Sequence, residues 1–226
     1  MGRSRDLADG KLTELLDVEQ STGHSVQLDH TSTSGYSSVA WAENGTIKAY
    51  SAHFGTTDGS GERLQHWVAS NAPITFGTNN TERMRIDSSG RVTMPYQPSF
   101  RAFKTSSWST GNSVITGWST FHNTGNHLNT STGVFTAPVA GVYQVSFHWL
   151  SDNTTTQSDV HIRLNNAPNN GIRTRSASSG GHQTTSGSQS IYMSANDTLN
   201  FFFESGDKVY MDASQTWTSW SVTLLG

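Results

Sequence analysis

The feature that most constrains this chain is a period-2 alternation of apolar and polar side chains, repeated along its second half. In GVYQVSFHWL, Tyr143, Val145, Phe147 and Trp149 fall on one face and Gln144, Ser146 and His148 on the other. Successive side chains of a strand point to opposite faces, so such a stretch reads as a half-buried β-strand. Val160, Ile162 and Leu164 follow the same rule, with His161 and Arg163 facing the other way. So do Ile191 and Met193, then Leu199, Phe201 and Phe203, and finally Trp220, Val222 and Leu224. Turn-forming strings lie between them, at Asn165-Asn166-Ala167-Pro168, Ala195-Asn196-Asp197 and Ser205-Gly206-Asp207. Many strands joined by such turns predict an all-β sandwich or barrel.

Composition narrows the function classes. Only 33% of the residues are hydrophobic and 14% charged, which suits short strands and turns better than long surface helices. No Cys is present, so disulfides and thiolate metal sites are excluded as sources of stability. The net charge is −3 and the Lys and Arg residues are dispersed, which leaves no footprint for a phosphate backbone, and nucleic acid is not an expected partner. No stretch approaches the ~20 apolar residues needed to span a bilayer, so membrane insertion is not expected. The opening MGRSRDLADG lacks the apolar run of a signal peptide, and synthesis in a host cytoplasm without export is the expectation.

The first half divides at residue 20. Leu12, Leu15 and Leu16 share one side of a predicted helix between Arg3 and Gln20, interrupted by Gly10, which suits an attachment segment over 1–20. Residues 21–96 read as short strands: HSVQLDH, SSVAWAE, GTIKAYSAHF, RLQHWVAS, APITFGT and RMRIDSSGRVTM. Asn44-Gly45 is a strong hairpin turn, and Asp87-Ser88-Ser89-Gly90 is another turn. This segment has too few large apolar side chains to close a core alone, so burial against other chains is expected.

Asn79 to Gly90, NNTERMRIDSSG, resembles a recurrent segment of bacteriophage tail-fibre and virion structural proteins almost residue for residue. The likeness ends after Arg91, where Val92-Thr93-Met94-Pro95 replaces the common Gly-Ile-Gly continuation. Pro95, Tyr96 and Pro98 then mark a module boundary, which gives a β-rich shaft over 21–96 and a head over 97–226.

The head resembles the globular domain of complement C1q and its relatives, which share a jelly roll with tumour necrosis factor. Asn123, Leu128, Phe135, Gly141, Tyr143 and Phe147 fall on the family's spacing, as does the ending VYMDASQTWTSWSVTLLG. Gly117, beside Trp118, stands where the family has Phe, and Val145 replaces an aromatic residue; both are tolerable core exchanges. The resemblance implies a homotrimer packed through the inner sheet. Tyr192 and Phe202 point away from their strands' core-facing neighbours, so each is expected to be partly exposed or buried against another chain.

Candidate chemistry is sparse. The nine His form no HExxH pair, His148 and His161 sit on outward strand faces, and no Gly-x-Ser-x-Gly elbow arms a serine. Asp152, Asp159, Glu204, Asp207 and Asp212 are the carboxylate pool for a glycosidase-like reading, which is the minor alternative to a non-enzymatic chain. Asp207 and Asp212 are too few oxygen ligands for the calcium that some relatives hold unless three chains contribute jointly, so no metal or other cofactor is expected. For recognition, the turns at the free end of the head are the useful places: 106–113, 152–158, 176–185 and 205–216. They carry Trp108, Asn153, His182, Tyr210 and Gln215, an aromatic and polar mix suited to a sugar ring or a protein loop.

The reading that follows is an all-β virion protein: a C1q/TNF-like jelly roll preceded by an intertwined β-rich shaft, homotrimeric, acting as a phage tail fibre or surface spike. Its partners are tail or capsid proteins through residues 1–20 and a host-surface glycan or protein at the head. The alternative is a purely structural fibre or trimerisation module without receptor contact.

Overall fold

The computed structural model describes residues 35–57, 59–153, 157–177, 181–206, 208–210 and 216–226; the side chains of Asp152 and Asn153 are outside that description. The predicted helix between Arg3 and Gln20 and the strand HSVQLDH lie outside the described residues. The chain forms two compact units that divide between Val92 and Thr93.

The first unit is built from hairpins. β1 (Tyr36–Glu43), β2 (Thr46–Phe54) and β3 (Arg63–Val68) make one antiparallel sheet, and β4 (Ile74–Thr78), β5 (Thr81–Ile86) and β6 (Val92–Thr93) make another. Asn44 and Gly45 join β1 to β2 with φ of 50° and 76°, the left-handed pair that a two-residue turn requires. Asn79 and Asn80 do the same between β4 and β5, with φ of 50° and 54°. The Asp87 carboxylate accepts from the backbone of Ser89 and Arg91, which shapes the turn that leads to β6.

These sheets bury little. Ala52 is the only buried hydrophobic residue of this unit among those described. Val39, Trp41 and Leu64 share one face of the first sheet by register and are 50%, 57% and 67% exposed. Tyr36 and Trp67 stand exposed on its opposite face. Ile74, Phe76, Met84 and Ile86 line a single face of the second sheet, and none of them is buried.

The second unit is a two-sheet sandwich. Its strands are β7 (Ser99–Phe103), β8 (Ser113–Val114), β9 (Ser119–Thr124), β10 (Leu128–Asn129), β11 (Val134–Thr136), β12 (Gly141–Asn153), β13 (Ser158–Leu164), β14 (Gly171–Ser176), β15 (Gly181–Met193), β16 (Thr198–Ser205), β17 (Val209–Tyr210) and β18 (Ser219–Leu224). One sheet runs β15-β12-β18-β7-β9, with β17 paired to β12; the other runs β10-β11-β16-β13-β14, with β8 paired to β16. Most connections cross from one sheet to the other, as those of a jelly roll do.

The alternating residues meet between the sheets as expected. Tyr143, Val145, Phe147, Trp149, Val160, Ile162, Met193, Leu199, Phe201, Phe203, Trp220 and Val222 all belong to one buried cluster. Aromatic rings set its geometry: Phe100 meets Trp220 edge-on at 4.6 Å, and Phe201 takes Phe147 and Trp118 edge-on at 5.5 and 5.4 Å. Gly187 makes room for Phe147, since a Cβ there would stand 2.8 Å from the ring. Of the two departures from the family spacing, Val145 lies in the core as expected, whereas Gly117 is exposed and the core place beside it is taken by Trp118. Trp118 is buried beside Gly117 with its indole N–H donating to the Ile115 carbonyl at 2.7 Å, and Val145 is fully buried.

Candidate functional site

Strand register brings the expected loops together at one end of the sandwich. Asn153 faces Gly181, Ser158 faces Ser176, Asp159 faces Ser205 and Phe203 faces Ser113. The other end holds the first and last strands, where Ser99 of β7 stands between Thr124 of β9 and Thr223 of β18. At that end the Asn123 side-chain amide donates to the Leu128 carbonyl at 2.8 Å, and its Oδ1 accepts from the Leu128 N–H at 3.2 Å, which closes the turn between β9 and β10.

Of the expected recognition residues, the structure joins two directly. The His182 and Tyr210 rings stand 4.4 Å apart, with the Lys208 ammonium 5.6 Å from the Tyr210 centroid. Both rings lie on the outward face of the β15-β12-β18-β7-β9 sheet: His182 faces Asp152 and Tyr210 faces Leu150, both on the non-core parity of β12. Trp108 serves a different purpose. Its backbone bridges Val209 through bonds of 2.9 and 2.8 Å, and its indole packs against the core and donates to the Thr110 carbonyl at 3.0 Å. Trp108 therefore closes the end of the sandwich and offers only part of its ring to a ligand. Gln215 and the Asn153 side chain lie outside the described residues, as do Asp207 and Asp212.

Sequence reasoning missed Lys104 beneath this end. It is 3% exposed, and its ammonium donates to the Thr116 and Gly117 carbonyls at 2.6 and 3.0 Å and lies 5.5 Å from the Trp108 ring. Burial holds its pKa below the ordinary lysine value. The sequence signal is faint: a Lys directly after the strand SFRAF.

The expected interface residues separate. Tyr192 is 65% exposed beside Val142 on the outward face of the β12 sheet. Phe202 is 6% exposed, and its cover comes from its own chain: the Arg163 guanidinium carbon lies 3.4 Å from its ring centroid. The expectation that Phe202 is either exposed or buried by another chain is thus corrected, because a long charged side chain can lie flat over an outward-facing ring. His161 is corrected likewise. It sits on the outward parity of β13 but is 3% exposed.

The carboxylates and histidines have structural partners. Asp159 accepts from Arg175 at 2.7 and 2.9 Å and from Arg173 at 3.1 Å, and Glu204 accepts from Arg163 at 2.5 Å. The bonds from Arg175, above all, hold the Asp159 carboxyl below its usual range. His148 contacts the Thr216 carbonyl at 2.9 Å and Ser219 Oγ at 3.2 Å, and among the described residues no carboxylate joins this serine and histidine to orient the ring. Among the described residues no group of His, Asp and Glu is placed to hold a metal ion.

A family model described as the C1q domain matches residues 99–224, more than half of the chain, and the chain belongs to that family. Its members are generally binding or structural modules and typically form homotrimers. Solved structures with a similar fold include the globular domain of zebrafish complement 1qA, 16% identical with a TM-score of 0.49, covering 57% of this chain and 98% of that one. Eiger TNF from S. frugiperda is 13% identical with a TM-score of 0.47, covering 57% and 93%. Murine APRIL is 10% identical with a TM-score of 0.47, covering 57% and 99%. Among curated proteins, none matches.

Proposed function

We propose that this C1q-domain chain is a trimeric fibre protein of a phage-type virion, whose head attaches the particle to a host surface through the loop end that carries Tyr210 and His182. The observation that carries the reading is how little the described residues of the first unit bury, Ala52 alone among their hydrophobic side chains. A three-stranded sheet with Val39, Trp41 and Leu64 exposed on one face and Tyr36 and Trp67 on the other is not stable in water by itself. Copies of the same chain supply the missing layers, and the β-rich segment becomes a shaft wound from the hairpins of three chains. The resemblance of NNTERMRIDSSG to phage fibre segments supports the virion setting, and membership of the C1q family supports the trimer.

Three copies of one binding end on a rigid trimer act together, so modest single-site affinity yields firm attachment through effective concentration. The test combines mass and adsorption. Light scattering of the full chain is expected to give three times 24.6 kDa, and a monomeric mass overturns the trimer. The purified protein is expected to block adsorption of the parent particle to host cells. Removal of residues 97–226 separates attachment from assembly: assembled particles that do not adsorb support the receptor role, and failure of the fibre to assemble makes the head a trimerisation clamp.

A further inference from the structure

The outward face of the β10-β11-β16-β13-β14 sheet carries a second candidate site, away from the loop end. β13 is buried along its whole length, although its outward residues are His161 and two of charged types seldom buried unless paired, Asp159 and Arg163. The two described carboxylates of this face are satisfied: Asp159 by Arg173 and Arg175, Glu204 by Arg163. Among the described residues of this face, three arginines stand against two carboxylates, a positive excess.

That excess is available at Arg173. Its side chain is 50% exposed, and among the described residues it donates one hydrogen bond, from Nη2 to Asp159. Beside it, His161 Nε2 is buried without a hydrogen-bond partner; Glu204 Oε2 lies 3.3 Å away without the geometry of a bond. Arg173 and His161 line a depression of about 220 Å³ whose walls also include Ile162, Ile172 and the turn from Pro168 to Gly171.

The walls are held in place. Gly171 has φ of 135°, and a Cβ there would stand 1.9 Å from the Ile162 carbonyl oxygen, so the β13–β14 turn lies directly against the strand. Leu164 N–H donates to the Asn170 carbonyl, and the Asn165 side chain ties the start of the turn to Asp197 and Thr198. Asn169 and Asn170 are exposed, and their side-chain amides have no partner among the described residues.

We propose that this depression binds the carboxylate-bearing ring of an acidic sugar. The free edge of Arg173 takes the carboxylate, because a guanidinium matches two carboxylate oxygens with parallel donors. The Asn169 and Asn170 amides, each with donors and an acceptor, take ring hydroxyls. The volume is below the ~300–1,000 Å³ of drug-sized sites and suits one sugar ring better than a peptide segment. The site is complete within one chain, so it does not rest on the trimer.

The test titrates the full chain with glucuronic acid, N-acetylneuraminic acid, glucose and acetate, followed by calorimetry or by NMR of the sugar. At least one acid sugar is expected to bind about tenfold or more tightly than glucose and than acetate, and Arg173→Gln is expected to remove about tenfold or more of that affinity. Arg175→Gln, whose arginine also donates to Asp159 but does not line the depression, is expected to leave the affinity within about twofold, and an unchanged melting temperature of Arg173→Gln excludes misfolding. Equal binding of glucose, acetate binding as tight as the sugar acids, full affinity in Arg173→Gln, or no binding of either acid overturns the proposal. The mass in solution is read separately, so failure here leaves the trimer reading untouched.

Discussion

Arg163 lies flat on Phe202, its guanidinium carbon 3.4 Å from the ring centroid, while its Nη2 donates to Glu204. One side chain thus covers an outward aromatic ring and neutralises a carboxylate. Arg163→Ala is expected to destabilise the head by about 3 kcal/mol, because it uncovers the ring and strands Glu204. Arg163→Met combined with Glu204→Met is expected to recover most of that loss, since apolar replacement of both partners removes the charge left unpaired. Urea denaturation of the two variants checks the order; a double variant less stable than Arg163→Ala contradicts it.

Acid sensitivity of the head follows from the same face. The Asp159 carboxyl is held low by Arg175 first, so its contribution to stability is complete above the unfolded value of about 3.9 and is lost as pH falls through the lower folded value. His161 is also held low, chiefly by burial, with Glu204 opposing and Arg173 and Arg163 assisting. Stability therefore begins to fall below about pH 6.5, where the unfolded chain takes up a proton that the folded one resists. Denaturation midpoints between pH 8 and 3 are expected to decline in both windows, and His161→Gln is expected to flatten the upper one alone.

The head is largely legible in the sequence because its core strands alternate strictly: once Tyr143, Val145, Phe147 and Trp149 share a face, their burial follows. The Asn44-Gly45 turn is legible for the same local reason. What alternation cannot reveal is how outward faces are covered. Period 2 places His161 and Phe202 outside, but cross-strand neighbours bury them, as the length and direction of the Arg163 side chain do for Phe202. The Asn79-Asn80 turn hides inside a recurrent string, although two left-handed Asn residues suit a hairpin as Asn-Gly does. The recognition end is half legible. The loops converge as crossing connections require, yet whether Trp108 faces ligand or core depends on its bridge to Val209.

Gly171 is the residue on which the β13–β14 turn depends. Its φ of 135° is closed to side chains, and a Cβ would collide with the Ile162 carbonyl. Gly171→Ala is expected to cost about 3 kcal/mol or more through strain and displacement of the turn. Gly181→Ala, where a Cβ meets nothing within 4 Å, is the control and is expected to leave the melting temperature nearly unchanged. Thermal unfolding of both variants checks the contrast.

The exposed face of the first sheet gives the sharpest test of how the chain is built. In a lone chain, Trp41→Glu and Leu64→Glu replace residues that are 57% and 67% exposed, and surface substitutions of that kind usually change stability by less than about 0.5 kcal/mol. If copies of the chain cover that face, the same changes bury unpaired carboxylates in an apolar contact, and the assembly pays the desolvation of each one. The expected outcome is loss of the trimeric mass by light scattering with the head's own near-ultraviolet signal retained, since its Trp118, Trp149 and Trp220 lie in a core that closes within one chain. A double variant that keeps both its mass and its stability shows that the face is not an interface between copies.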